Sequence, residues 1–326
     1  MATKITISPI LSSENVCKEI HDSWGSLNHL VPSLASLSGL QRKQIREEYM
    51  TMYGEDLLLH LRNTHRNQTE VSAEICAAAA LSMLILNPNE RDAIVSREAL
   101  EQSDINYKAL IEIFVGRKSS HVALIQQAYQ TRFRRLLDQD IITIEPPNPY
   151  KKILMALAAS HKAHHADVSQ HIAKCDARRL YQTGEGRSGA VDESVVLEIL
   201  SKRSISQLKQ TFSCYKLIYG HNYTKSFKTD NHGEFGEALK TVVKCIYNPP
   251  KYYAKTLYAS LKGKTTDKGA LARVMVSRAE VDMDEIQRVF RKKYGIELKD
   301  AICENIPSGD YRDFLVALAT KTTNLA

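Results

Sequence analysis

Proline and glycine are scarce in this chain of 326 residues, at 9 and 14, which leaves few positions suited to tight turns and favours helix. No stretch alternates apolar and polar residues for long enough to make a half-buried strand. No apolar run is long enough to cross a bilayer. The longest, "ICAAAALSMLIL" from Ile75 to Leu86, carries four alanines and reads as a buried core helix. The N-terminus "MATKITISPILSSENV" lacks the long apolar segment of a signal peptide, so a cytoplasmic location is expected. Cys17, Cys76, Cys175, Cys214, Cys245 and Cys303 form no CxxC pair, which argues against zinc and redox motifs. In a reducing compartment they read as small buried hydrophobes.

Basic nucleic-acid tracts are also missing. The net charge is +7, but it is spread along the chain without interleaved aromatics, so no nucleic-acid partner is expected. An anionic membrane surface fits that distribution. The segment "LKGKTTD" from Leu261 to Asp267 resembles the end of a phosphate-binding P-loop, but Tyr258 stands where that loop needs glycine. The preceding "YYAKTLYASL" is spaced as a helix rather than a strand. His161, His164 and His165 have helical metal-ligand spacing, but no Glu or Cys completes a zinc motif. They read as part of a solvated connection. No arrangement of nucleophile and base stands out, and no enzymatic activity is expected.

What is present is a repeat. With Arg278 as origin, Leu271, Val274 and Met275 lie seven, four and three places before it, and Phe290 and Tyr294 lie twelve and sixteen after it. Arg203 gives Val196, Ile199, Leu200, Tyr215 and Tyr219 at the same offsets. Arg117 gives Leu110, Ile113, Phe114, Tyr129 and Phe133. A degraded copy has Leu37 at the origin and Ser33 at one apolar place, yet keeps Leu30, Leu34, Tyr49 and Tyr53. The origins are 80, 86 and 75 residues apart, too long for the common short helical repeats and long enough for four or five short helices. The offsets of three, four and seven mark apolar helix stripes, which predicts an all-α fold of four tandem units.

The segments "VMVSRAEVDMDEIQRVFRKKYG" (274–295), "SGDYRDFLVAL" (308–318), "ILSKRSISQLKQTFSCY" (199–215) and "NPNERDA" (87–93) together resemble the annexin family, in its plant branch. The resemblance implies four repeats, each a right-handed superhelix of about five helices, forming a curved disc. It divides the chain into a tail at 1–12 and repeats at 13–88, 89–160, 161–249 (with a linker) and 250–326. It also implies a protein that binds anionic phospholipid with calcium. In the family pattern a glycine loop of form M/L-K-G-x-G-T joins the first two helices, and an acidic residue follows about forty places later. Calcium takes six to eight oxygens, several of which a curled loop can supply as backbone carbonyls.

The calcium loops here depart from that pattern. In repeat four Leu261, Lys262 and Gly263 match, but Thr265 replaces the second glycine and Asn305, beside Glu304, stands at the acid position. Repeat three keeps Gly184, Gly186 and Gly189, with Asp230 placed to supply the distant carboxylate. Repeat one has Ser23 and Gly25 in its loop and only Thr64 or His65 at the acid position; repeat two has Asp138 and Asp140 but no glycine loop. The expected function is therefore peripheral membrane binding with weakened calcium sites, best in repeats three and four. Lys262, Lys264 and Lys268 are expected to face the lipid, with Trp24, in the repeat-one loop, as an anchor. The chain is expected to be a monomer or weak oligomer. The alternative is a helical protein-interaction scaffold that has lost lipid binding.

Overall fold

The computed structural model describes residues 13–22, 31, 34–63, 73–159, 168–186, 191–228, 233–263 and 266–320. Among them, helix is the only regular structure. The helices are α1 (Ser13–Asp22), α2 (Gly39–Tyr53), α3 (Leu57–Asn63), α4 (Ala73–Ile85), α5 (Pro88–Glu101), α6 (Tyr107–Val115), α7 (Ser119–Phe133), α8 (Leu137–Ile142), α9 (Pro149–Ala158), α10 (Gln170–Gln182), α11 (Glu193–Lys202) and α12 (Ile205–Tyr219). A 3₁₀ turn (Tyr223–Lys228) follows, then α13 (Gly233–Tyr247), α14 (Pro249–Lys262), α15 (Lys268–Arg278), α16 (Met283–Tyr294), α17 (Leu298–Asn305) and α18 (Asp310–Thr320). Because α14 runs through Lys262, "LKGKTTD" leaves a helix rather than the buried strand that a P-loop requires.

Local chemistry explains where many of these helices start and stop. Ser38 and Gln41 form a reciprocal capping box on α2, and Asn106, Asn148, Ser169, Asp192, Ser204 and Asp267 each accept a backbone N–H at a helix start. The helix that carries the aromatic pair of each repeat ends in a left-handed residue. In three repeats this is glycine: Gly54 (φ 70°), Gly220 (φ 76°) and Gly295 (φ 72°). In repeat two it is Arg134 at φ 56°, where a Cβ is strained.

Two compact units result. One comprises 88–252 and the other 1–87 with 253–326. In the first, α5 packs on α7 and α10 on α12, while α9 lies against α6, α11 and α13. Its core includes Leu110, Phe114, Ile153, Leu154, Leu157, Val196, Ile199, Leu200 and Val242, all buried. In the second, α1 packs on α2, and α4 lies against α15 and α18, so the first repeat closes on the fourth. The alanine-rich run forms α4 as expected: Ala77, Ala78, Ala80, Leu81, Leu84 and Ile85 are buried. The cysteines are mixed. Cys17, Cys214 and Cys245 are buried, but Cys76 and Cys175 are half-buried and Cys303 is exposed, so the uniform reading as buried hydrophobes is corrected.

The repeat offsets have a physical meaning. The first aromatic of each repeat, Tyr49, Tyr129, Tyr215 or Phe290, is fully buried. The second lies against a flat group on the first helix of its own repeat. Tyr53 stacks on His21 (centroids 3.9 Å apart), Tyr219 on Tyr181 (4.0 Å) and Tyr294 on Tyr258 (3.7 Å). In repeat two Phe133 receives the Arg97 guanidinium instead, 6.0 Å from the ring centroid. The origin arginine is a second tie to the first helix. Arg117 Nε lies 2.5 Å from Asp92 Oδ2, and Arg203 donates to both oxygens of Asp176 at 2.7 and 3.2 Å. In repeat four Tyr253 stands in place of the aspartate; Arg278 covers its ring at 4.6 Å and pairs with Asp282 instead.

Replacing Arg134 by glycine removes the Cβ strain at the end of α7. Arg134→Gly should raise unfolding stability by about 1 kcal/mol, seen as a later urea midpoint. An earlier midpoint would show that the arginine side chain contributes more than its strained backbone costs.

Candidate functional site

The repeat-three loop is built at the end of α10. Gly186 N–H donates to the Tyr181 carbonyl at 2.8 Å, Gly184 N–H reaches the same oxygen at 3.2 Å, and Asp192 N–H closes back on the Thr183 carbonyl at 2.9 Å. The backbone at Gly186 lies directly on the Tyr181 ring. A Cβ there would sit 2.6 Å from Tyr181 Cε1, so only glycine fits this cradle. Tyr181 cannot easily yield, because Tyr219 is stacked on its ring. Gly189 and Asp230 lie outside the described residues, so the expected closure of this loop by the distant carboxylate is untouched by the structure.

An acid that the sequence reading passed over sits inside the same loop. Glu185 Oε2 accepts from Tyr215 O–H at 2.9 Å and faces His221 Nε2 at 2.8 Å. His221 Nδ1 faces the Tyr219 carbonyl at 2.8 Å, so both ring nitrogens meet acceptors and the ring donates to both only when doubly protonated. Burial first, and then the bond to Glu185, push the Tyr215 hydroxyl well above the usual tyrosine range. This carboxylate is committed to holding the loop against α12. Its signal in the sequence was weak, since Glu185 and its partners are 30 and 36 residues apart.

In repeat four Leu261 is buried at the end of α14, where it anchors the loop start. Lys262 does not simply face solvent: its Nζ lies 3.5 Å from Glu304 Oε2. Asn305 turns its amide onto its own helix, Nδ2 donating to the Ala301 carbonyl at 2.6 Å. Asp267 caps α15 through the Ala270 N–H at 2.9 Å, and Lys268 opens that helix half-buried. Gly263 ends the described part of the loop; Lys264 and Thr265 lie outside it, as do Trp24, Gly25, His161, His164 and His165.

In repeat two Asp140, at the distant-acid position, accepts from Tyr129 O–H at 2.6 Å, from Arg135 Nη2 at 2.6 Å and from Arg97 Nη1 at 3.2 Å. Burial works to raise its carboxyl pKa, but these three donors outweigh it and hold the group below its ordinary value. Asp140 also helps burial push the Tyr129 hydroxyl up to about 12. Asp138 is exposed. Among the described residues no group of three or more His, Cys, Asp or Glu side chains is placed to hold a metal, and no helix is long and apolar enough to cross a membrane.

An array of short-helix units tied at recurrent positions, with a glycine loop after a first helix, defines a class: the tandem-repeat α-helical proteins of annexin type. The annexin family model matches residues 91–157, 175–242 and 252–318. Human Annexin A3 is 34% identical over 311 residues, covering 95% of this chain and 93% of the relative. Human Annexin A13 is 33% identical, covering 89% and 88%. The solved structure of annexin III superposes with a TM-score of 0.84 at 32% identity, covering 96% of this chain and 95% of that one. The chain belongs to the annexin family, whose members generally bind phospholipid in a calcium-dependent way and are generally not enzymes. The first repeat, outside the three matched segments, is the one whose origin arginine is Leu37. There Arg42 buries its guanidinium instead, donating to the Leu37 carbonyl and, at 2.6 Å, to Glu280.

Asp140→Asn should cost about 2 kcal/mol at neutral pH, read from urea unfolding. The folded carboxyl has a depressed pKa, so wild type gains this stability above the unfolded value and loses it as pH falls through the folded one, below 3.8. The gap between wild type and variant should therefore close once the pH has fallen below that depressed folded value. A gap that survives there would assign the cost to packing rather than to charge.

Proposed function

We propose that this chain is a peripheral membrane protein that binds anionic phospholipid from the cytoplasmic side, with calcium dependence weaker than the family pattern implies. The repeats are read as 13–88, 89–160, 161–249 and 250–326. The observation that supports a retained calcium loop is the cradle at Gly186, where the backbone curls so tightly after α10 that a Cβ would meet the Tyr181 ring at 2.6 Å. Hard cations need such a set of clustered backbone oxygens, and the loop of Gly184, Gly186 and Gly189 with Asp230 would provide it. Calcium held there would supply positive charge to a lipid phosphate. Lys262, Lys264 and Lys268 add attraction for an anionic surface, about 1 kcal/mol for each basic group near it.

Sedimentation with phosphatidylserine vesicles tests this reading. Wild type should pellet more strongly with calcium than with chelator, and Asp230→Ala should lose one calcium by calorimetry together with part of that gain. Identical stoichiometry in the variant would remove repeat three from the account. No sedimentation under either condition would favour the protein-interaction scaffold.

Trp24, the single tryptophan, gives an independent readout. An indole favours the bilayer interface because its ring is apolar and its N–H polar. Anionic vesicles should shift its emission to the blue and shield it from a water-soluble quencher, whereas neutral vesicles should not. Unchanged fluorescence on vesicles that do bind protein would take the repeat-one loop off the membrane.

A further inference from the structure

The described side-chain donor set in repeat four does not fit calcium: it holds two carboxylates, each with a protein partner, and one amide. Glu304 faces the Lys262 ammonium at 3.5 Å, Asp267 caps α15, and Asn305, whose Nδ2 donates to the Ala301 carbonyl, can offer only one neutral oxygen. From Leu261 to Lys268 the loop carries three lysines and one aspartate, a formal charge of +2. A divalent cation entering it would meet like charge, and the Glu304 carboxylate beside it already faces an ammonium. We propose that Lys262 takes the place of the metal. Its ammonium, seated on Glu304 between the loop after α14 and the end of α17, makes this edge a calcium-independent site for the phosphate of an anionic lipid headgroup.

The proposal rests on the membrane-binding reading above and specifies how one repeat achieves it. An ammonium has three donors. At 3.5 Å from Glu304 the ammonium is paired by charge, and its donors remain for phosphate oxygens. The pair is open to solvent, with Lys262 and Glu304 side chains 40% and 55% exposed. Such a surface pair is worth at most about 1 kcal/mol, so the lysine can turn from carboxylate to phosphate at little cost. Lys268, at the start of α15 on the same loop, supplies a second cation. Calcium would make the carboxylate a ligand, whereas a lysine uses it only as a rest.

Calcium calorimetry on Glu304→Gln should give the same stoichiometry as wild type, because Glu304 binds no metal. Loss of one calcium would overturn the proposal. In chelator, wild type should retain a fraction bound to phosphatidylserine vesicles, and Lys262→Gln and Lys268→Gln should each weaken that binding about fivefold. Lys262 is exposed and Lys268 half-buried, and circular dichroism checks that each variant keeps its helix content. Calcium-dependent sedimentation without any chelator-resistant fraction would sink this proposal and leave the membrane reading standing. Failure to sediment even with calcium would sink both. Equal competition by soluble glycerophosphate and by vesicles would place the ligand in solution rather than in a bilayer, against the assignment.

Discussion

Each repeat is closed by an aromatic side chain, sixteen residues past its origin, lying flat against a group on the repeat's own first helix. His21, Tyr181 and Tyr258 provide a parallel ring within about 4 Å in three repeats, and Arg97 provides a planar guanidinium in the other. The contact joins the first helix of a unit to the helix that carries the aromatic pair, and leaves the fully buried aromatic four residues earlier to fill the space beneath. Everything near the functional loops depends on this closure. The loop after α10 is curled over Tyr181, whose ring is fixed by Tyr219, and that is why Gly186 has no room for a Cβ. The loop after α14 begins at Gly263, a little more than one helical turn beyond Tyr258, whose ring is fixed by Tyr294.

A second constraint is electrostatic. The described acids near the candidate sites are held by donors of the protein itself: Glu185 by Tyr215 and His221, Asp140 by Tyr129, Arg97 and Arg135, and Glu304 by Lys262. Carboxylates used this way stabilise the fold but are poorly placed to collect a metal, since a calcium ion would have to displace each existing partner. The consequence differs among repeats. At Asp140 the partners are numerous and the group is buried, so the tie is structural. At Glu304 the single partner is an exposed lysine, and on the proposed reading that weak tie is one a lipid phosphate can replace. Repeat three carries a glycine cradle, at Gly186, whose backbone lies directly on the Tyr181 ring.

The origin arginine was legible as a repeated position, but its purpose was not. Spacing along the chain gave Arg117 and Arg203 the same rank as Arg278. Only the fold shows that the first two meet aspartates 25 and 27 residues earlier, while the third covers Tyr253 and pairs with Asp282. The degraded first copy was legible as degraded. The replacement of its arginine by Arg42, five residues on and paired with Glu280 at a sequence separation of 238, was not.

What the chain alone determined is periodic: helices, their apolar faces, four units and the positions of the aromatic pairs. These follow from contacts three, four and seven residues apart, which recur in any helix and can be counted along the sequence. The tertiary structure decided which charged groups are spent on the fold and which remain for function. Glu185, Asn305 and Lys262 all stood in suitable places by number. Their partners lie 30 to 42 residues away or back along their own helix, and a side chain's direction is set by those partners rather than by spacing. A ligand site requires several such directions to converge, and convergence exists only once the helices have packed.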